Sequence, residues 1–301
     1  MGIDVKARIE QHKATLYGIL AIVLWSTIVG LIRSVSEDFG PVGGAALIYT
    51  VGSIFLILLI GFPKISAFPR IYLWLGSLLF VSYEICLSLA LGFANNRAQA
   101  IELGMVNYLW PGFTVLLAVI INKQNVNWWL YPSLLLSILG IGWVMSGNNG
   151  WSLRQMVGNI QSNPLSYGLA FAGAIIWAVY CNITKIMAAG KNGMSLFFIL
   201  TAFALWVQYF FTSPPEMAIS LRSVSILLFA GAVMGVANAA WTFAIIRGHV
   251  ALLATLSYFT PIISTAFSSL LLSTALSFSF WQGVLMVTIG SIICWLATKA
   301  R

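Results

Sequence analysis

The chain has 301 residues, of which 60% are hydrophobic and 7% are charged. Soluble globular proteins carry about 25% charged residues, so this composition excludes a soluble or a disordered chain. The hydrophobic residues extend over the whole length, which is typical of a polytopic membrane protein and not of a soluble domain with one anchor. The net charge of +8 does not indicate nucleic-acid binding, because the Lys and Arg residues form no dense phosphate-binding cluster.

Ten apolar stretches are long enough to cross a bilayer, which takes about 20 residues. In chain order, the predicted spans are 14–33, 41–62, 71–92, 98–121, 128–146, 164–187, 193–212, 223–246, 250–272 and 279–298. Turn formers such as Gly40-Pro41 separate them, because proline fixes φ and lacks a donor. No strand-like alternation is present in the sequence, and lipid tolerates no unpaired backbone, so we predict an all-α membrane protein. The basic N-terminal segment is followed by no small-residue cleavage site, and no removable signal peptide is expected.

The distribution of basic residues predicts the orientation, because Lys and Arg are retained on the cytoplasmic side. With the N-terminus inside, the outer segments carry Arg33, Arg97, Arg154 and Arg222, and every other Lys and Arg lies on the inner side. Both termini are therefore predicted to be cytoplasmic. The positive charge is then mainly a signal of topology, which leaves little reason to expect an anionic partner.

The two halves of the chain are related to each other. A shift of 150 residues aligns segment 93–97 with segment 243–247, Tyr108 with Tyr258 and Pro111 with Pro261. Each predicted half, 1–150 and 151–301, contains five spans, so the second half crosses the membrane in the opposite sense. Two inverted five-helix repeats are typical of transporters that work by alternating access. Some channels and polytopic enzymes also arose by duplication, so the repeat favours transport without requiring it.

Two carboxylates lie within predicted spans, where a charge is costly. Glu84 lies midway along the third span, and it either lines a substrate cavity or is bonded between helices. Glu102 lies near the start of the fourth span, where the helix dipole and nearby Arg97 would favour an acid. Neither acid recurs in the second half, which favours a functional role. Both are candidates for proton coupling.

Aromatic and amide side chains are concentrated in several spans. They either line a substrate site or simply pack between helices, and packing is the more common role of a single buried aromatic residue. Two prolines, Pro111 and Pro261, are predicted to kink the fourth and ninth spans near Asn107 and Ser257 and to act as gate hinges. The candidate substrate-binding residues are Trp25, Tyr83, Glu84, Asn107, Trp110, Trp177, Tyr180, Asn238, Trp241 and Tyr258.

Two segments, one around each of the two prolines, resemble a known family. Residues 102–111 in the fourth span and 257–261 in the ninth resemble the EamA branch of the drug/metabolite transporter superfamily. Within that branch, segments 25–33, 81–86 and 276–283 are similar to the YddG-type aromatic amino acid exporters of bacteria, and the likeness covers nearly the whole chain.

That resemblance implies a multi-pass protein of the bacterial inner membrane that is not an enzyme. It implies export of phenylalanine, tyrosine and tryptophan by alternating access through a central cavity, with aromatic cations such as methyl viologen as further substrates. For such a zwitterion, Glu84 would accept from the ammonium group, Asn107 and Asn238 would donate to the carboxylate, and the aromatic residues would enclose the ring.

Two alternative functions remain open on the sequence. One is a broad-specificity exporter of drugs or metabolites; nucleotide sugars would require basic residues inside the spans, whereas here these residues cluster at span ends. The other is a membrane-embedded lipid-modifying enzyme, which would need a metal motif or a nucleophile with its base. The cysteines and histidines lack ligand spacing, so no metal or cofactor is expected. The expected partners are a small-molecule substrate and membrane lipid, without nucleic acid; the sequence does not indicate an oligomeric state, and a monomer is compatible with it.

Overall fold

A computed structural model describes residues 2–62, 64–122, 127–146, 151–189, 191–212, 216–247 and 257–299. All regular structure in these residues is helical, as the sequence predicts, with one short 3-10 turn at Ile65–Ala67. We number the α-helices in chain order. They are α1 (Gly2–Phe39), α2 (Pro41–Ile60), α3 (Arg70–Gly92), α4 (Arg97–Asn107), α5 (Trp110–Asn122), α6 (Leu130–Met145), α7 (Leu153–Ser162), α8 (Pro164–Met187), α9 (Met194–Phe211), α10 (Leu221–Arg247), α11 (Thr260–Leu271) and α12 (Phe278–Lys299).

Several helices are long and apolar enough to cross a membrane, and the chain is a multi-pass membrane protein. Seven segments of the described chain meet this condition. They are His12–Phe39, Pro41–Ile60, Arg70–Gly92, Arg97–Leu117, Pro164–Thr184, Met194–Phe211 and Leu221–Ala244. Shorter apolar helices at Leu130–Met145, Thr260–Leu271 and Phe278–Cys294 occupy the fifth, ninth and tenth predicted spans. Residues 250–256, the start of the ninth predicted span, lie outside the described residues.

Local sequence signals account for several helix starts. Pro41 and Pro164 occupy the first turn of α2 and α8, where the missing N–H is not needed. Asn96 and Asn163 cap α4 and α8, because each side chain accepts a hydrogen bond from a backbone N–H three residues later. Gly40, at φ 74°, makes the turn between α1 and α2.

Two predicted boundaries differ from the structure. The first predicted span ends at residue 33, but α1 continues to Phe39 because Arg33 and Glu37, one turn apart, are bonded to each other at 3.0 Å. The connection between the fifth and sixth predicted spans, for which no helix was predicted, contains the helix α7, and Ser152 caps its first turn. Both errors come from reading hydropathy alone, since a helix can continue beyond the hydrocarbon.

Helix α7 presents its apolar side chains away from the protein. Leu153, Val157 and Ile160 lie on one face and are exposed, whereas Asn159 on the other side donates to the carbonyl of Met145 at 2.9 Å. An exposed apolar face on a short amphipathic helix is typical of a helix that lies at a membrane surface.

The fourth and ninth predicted spans are broken and not merely kinked. Helix α4 ends at Asn107 and α5 begins at Trp110, because Pro111 has no N–H to donate and its ring crowds the preceding turn. In the second half, Pro261 lies in the first turn of α11. The backbone around the two prolines matches, since Phe113 donates to Leu109 and Ile263 donates to Phe259, each at 3.1 Å.

Helix ends meet at two opposite faces of the bundle. We call the end that carries Arg33 and Arg97 the arginine face. There, the N–H of Ala218 donates to the carbonyl of Asp38 at 2.7 Å, and the amide of Asn163 donates to Phe93 at 2.8 Å. At the opposite face, the N–H of Asn127 donates to Ala297 at 3.0 Å. Helices α1 and α3 therefore end at the arginine face, and α8 and α10 begin there.

Small residues let the helices approach closely. A methyl group added at Gly140 of α6 would lie 2.9 Å from the carbonyl oxygen of Gly283 in α12, and one at Gly290 would lie 2.7 Å from that of Ser133. Backbones in such contact maximise packing, which is a main source of stability between helices in lipid.

Candidate functional site

A central cavity of about 640 Å³, counting the part that is open to solvent, lies among α1, α3, α4, α5, α8, α10 and α11. Ligand sites are commonly mostly apolar with a few convergent polar groups, and this cavity has that character. Its lining consists of Trp25, Ile28, Val29, Tyr83, Glu84, Leu87, Gly104, Asn107, Tyr108, Trp110, Trp177, Met234, Asn238, Ser257 and Thr260.

The two breaks in the helices both border this cavity. Asn107 and Tyr108 end the first half-helix, and Ser257 and Thr260 flank the second break. Irregular backbone at membrane depth is tolerated where it lines a cavity, since polar groups can be satisfied there. The N-terminus of α11 carries the positive end of its helix dipole, which favours a negative ligand group.

Glu84 supplies the acidic group of the cavity. It is almost completely buried in α3, and its Oε2 accepts a hydrogen bond from the hydroxyl of Tyr49 at 2.5 Å. The sequence left two alternatives for Glu84: it lines a substrate cavity, or it is bonded between helices. In the structure Glu84 lines a cavity and is also bonded to another helix. Tyr49 of α2 was missed by the sequence reasoning, because nothing in a buried tyrosine distinguishes a donor from a packing residue.

An aromatic wall stands beside Glu84. The rings of Tyr83 and Trp177 lie 4.4 Å apart, and Trp110 meets Trp177 edge-on at 6.3 Å. Tyr180 stacks on the far side of Trp177 at 5.0 Å. Stacked and edge-on rings provide a large apolar surface of defined geometry, so this wall can receive a flat apolar group.

Amide groups border the same cavity. Asn107 is buried, and its Nδ2 donates to the Tyr83 hydroxyl over a long 3.4 Å, while no described residue bonds its Oδ1. Asn238 uses its Nδ2 to donate to the carbonyl of Met234, one turn back in α10. Asn107 therefore has an unused acceptor among the described residues, whereas a bond to a ligand carboxylate would use the second N–H of either amide Nδ2.

Three of the predicted substrate-binding residues do not border the cavity. Tyr180 lies behind Trp177, and Trp241 packs against Trp25 with ring centres 4.9 Å apart. Tyr258 is buried outside the lining. The other seven predicted residues, Trp25, Tyr83, Glu84, Asn107, Trp110, Trp177 and Asn238, all line the cavity.

Glu102 lies outside the cavity, between α4 and α8. Its Oε1 accepts a hydrogen bond from the hydroxyl of Tyr167 at 2.6 Å. Arg97, which was predicted to screen Glu102, is paired with Glu37. The sequence did not reveal this pairing, since Glu37 belongs to a different helix.

Small and aliphatic lining residues were also missed by the sequence reasoning. Gly104, Met234 and Thr260 have no sequence signal that separates them from ordinary span residues. Gly104 lies so close to α1 that an added methyl group would be 2.9 Å from Val29 Cγ2. Their place in the lining follows from which helices meet, and this is a property of the assembled bundle.

A charged cluster ties helices together at the arginine face. Glu37 accepts from Arg33 Nε at 3.0 Å and from Arg97 Nη2 at 2.7 Å. Arg97 Nη1 also donates to the carbonyl of Leu272 at the end of α11, at 3.1 Å. This cluster, the Glu37 cluster, therefore connects the first half of the chain with the second.

Further contacts separate the Glu37 cluster from the cavity. The hydroxyl of Thr265 donates to the Met105 sulfur at 3.3 Å, which joins α11 to α4. A methyl group at Gly30 would lie 2.9 Å from Leu271, so α1 and α11 are in direct contact. These contacts hold α1, α4 and α11 together between the cavity and the arginine face.

Within the described parts of the chain, no three His, Cys, Asp or Glu side chains lie close enough together to hold a metal ion.

Comparison with known proteins identifies the family. The model of the EamA-like transporter family matches residues 12–146 and, a second time, residues 164–296. The chain belongs to the EamA-like transporter family.

Individual proteins agree with this EamA-like assignment. The chain is 54% identical to the aromatic amino acid exporter YddG of Salmonella typhimurium strain 14028s, over 97% of this chain and 99% of that protein. It is also 54% identical to the aromatic amino acid exporter YddG of Escherichia coli strain K12, over 96% and 99% of the two chains. A protein of known crystal structure shares the fold with a TM-score of 0.69 at 22% identity, over 96% of this chain and 99% of the other.

Proposed function

We propose that this EamA-like transporter exports aromatic amino acids across the bacterial inner membrane. The observation that carries the proposal is one cavity that combines an aromatic wall with a single buried carboxylate, Glu84. The two relatives that are 54% identical are named aromatic amino acid exporters, which supports the same substrate class for this chain.

The proposed architecture has ten spans in two inverted repeats, 1–150 and 151–301, with both termini in the cytoplasm. The two separate matches to the family support two repeats. Their inversion is supported by the directions of α1, which ends at the arginine face, and α8, which begins there, and by the matched backbone around Pro111 and Pro261. The arginine face is then the outer face, in agreement with the positive-inside rule.

A zwitterionic substrate fits the cavity in one orientation. Its ammonium group bonds to Glu84, and its ring lies against Tyr83, Trp110 and Trp177. Its carboxylate accepts from the amide of Asn107 and is favoured by the helix dipole at the start of α11. Trp241 and Tyr180 support this lining from behind, and Tyr258 lies further back.

The proposed transport is by alternating access. In the conformation described above, the Glu37 cluster and the contacts of α1, α4 and α11 close the arginine face. Opening requires α4 and α11 to move away from each other, and the breaks at Pro111 and Pro261 are the hinges for this movement. Glu84 is the proposed proton carrier, because it is the carboxylate that lines the cavity.

Flux through purified protein tests the proposal. Proteoliposomes that contain the protein should release labelled tryptophan, phenylalanine and tyrosine faster than empty liposomes, and Trp177→Ala should reduce the rate without loss of folded protein. Equal release of the labelled amino acids from liposomes with and without the protein would refute the proposal. Methyl viologen, an aromatic cation that can contact Glu84 and the rings, is expected to compete with the aromatic amino acids for transport. Labelled alanine should leave liposomes that contain the protein no faster than liposomes that lack it.

A broad-specificity exporter of drugs and metabolites predicts a different outcome. In that case alanine and unrelated apolar cations would pass at rates similar to that of tryptophan. The stacked wall around Trp177 favours the narrower substrate class, because ring stacking gains more from a flat side chain than from an aliphatic one.

A further inference from the structure

Tyr49 lies outside the cavity but contacts its carboxylate. The side chain is completely buried in α2, and its hydroxyl donates to Glu84 Oε2 at 2.5 Å. A distance this short is usual for a hydroxyl that donates to a carboxylate. The tyrosine ring packs on Phe198 of α9 at 5.2 Å. Tyr49 therefore reaches Glu84 from the side that faces away from the cavity, and its own position is held by the packing of α2 on α9.

The orientation of a glutamate carboxylate depends on its partners. The last torsion of the side chain is soft, so hydrogen bonds and not rotamer preferences decide which oxygen points where. Among the described residues, Tyr49 is the hydrogen-bond donor that reaches Glu84. With Oε2 occupied from the α2 side, Oε1 is left for the cavity that Glu84 lines.

We infer that Tyr49 is a positioning residue for substrate recognition: it holds the Glu84 carboxylate so that the free oxygen faces the substrate ammonium. The inference rests on the proposed function. Tyr49 itself does not touch the substrate. Loss of the Tyr49 hydroxyl should therefore lower the affinity for ligands that carry an ammonium group. It should leave the affinity for ligands without an ammonium group unchanged.

Tyr49→Phe removes this hydroxyl and keeps the ring. We expect the Kd of tryptophan for the purified full-length protein, measured by isothermal titration calorimetry, to rise about fivefold to tenfold, because hydrogen bonds to charged groups are strong. The Kd of 3-(indol-3-yl)propanoate, which keeps the ring and carboxylate but has no amine, should stay the same. Tyr72→Phe is the matched control, since Tyr72 is equally buried and its hydroxyl contacts Thr184 at 3.4 Å outside the cavity lining.

A double variant separates positioning from general packing. Glu84→Gln should weaken tryptophan binding, and the addition of Tyr49→Phe to Glu84→Gln should change it no further. This comparison also serves if Tyr49→Phe alone does not fold. The inference is overturned if Tyr49→Phe leaves tryptophan binding unchanged, weakens both ligands equally, or adds a further loss in the Glu84→Gln background. A wild-type protein without tryptophan flux would instead overturn the proposed function itself.

Discussion

Removal of the Glu37 charge should open the outer side of the transporter. In Glu37→Gln the side chain keeps its shape, but its bonds to Arg33 at 3.0 Å and Arg97 at 2.7 Å lose their ionic component. An exposed ion pair contributes at most about 1 kcal/mol. The Glu37 side chain is 26% exposed and that of Arg97 is 44% exposed, so water screens both pairs. Because Arg33 and Glu37 both lie in α1, only the Arg97–Glu37 pair joins two helices. We therefore expect a loss of about 1 kcal/mol, which shifts the closed-to-open equilibrium by a factor of about five.

A cysteine in the cavity reports this shift. Leu87→Cys, in a chain whose Cys86, Cys181 and Cys294 are replaced by alanine, places a thiol in the lining. A membrane-impermeant maleimide added to the outer side of spheroplasts should label this thiol about five times faster when Glu37→Gln is present.

Two controls make the labelling experiment decisive. Glu216→Gln changes an exposed acid that forms no ion pair among the described residues, and it should leave the labelling rate unchanged. High salt should reduce the difference between Glu37→Gln and its parent, because it screens the exposed ion pairs of the parent. Equal labelling of Glu37→Gln and its parent, or an equal increase in Glu216→Gln, would refute the role of the Glu37 cluster as a gate.

Two further changes test the proton carrier and the helix packing. Glu84→Gln should abolish the accumulation of tryptophan driven by a pH gradient while it retains tryptophan exchange. Glu102→Gln should keep both activities, because Glu102 lies outside the cavity. An unchanged pH dependence in Glu84→Gln would contradict the assignment of Glu84 as proton carrier. Gly290→Ala should destabilise the protein by about 1–3 kcal/mol through overpacking, since the methyl group would lie 2.7 Å from the Ser133 carbonyl oxygen. Thermal unfolding of the detergent-solubilised protein measures this loss. Gly168→Ala is the control, because a methyl group there meets nothing within 4 Å. Equal melting temperatures for the two variants would argue against close packing of α6 and α12.

Much of the fold could be predicted from the sequence because the bilayer imposes its own pattern. A helix that crosses lipid needs a long apolar stretch, and this requirement located the helix of the sixth span at residues 164–187, where the structure has it. The same reasoning failed where the constraint does not apply. Helix α7 lies in a polar connection, and α1 extends beyond its apolar stretch, so hydropathy alone could not locate either one.

The candidate site divides in a similar way. Glu84 and Asn107 could be selected from the sequence, because charged and amide groups are costly in a membrane span and rarely persist there without a role. Tyr49 and Gly104 could not, since each is an ordinary residue for its helix.

By itself, therefore, the sequence determined that this is a helical membrane protein with related halves, and it reduced the acids of interest to Glu84 and Glu102. Only the tertiary structure showed that the two acids have different surroundings, because it places Glu84 in the cavity lining beside Tyr49 and places Glu102 against Tyr167 between two helices. It also paired Arg97 with Glu37 instead of Glu102. The physical reason is that hydropathy depends on each residue singly, whereas a hydrogen bond or an ion pair depends on which helices lie side by side, and this is settled by packing across the whole bundle.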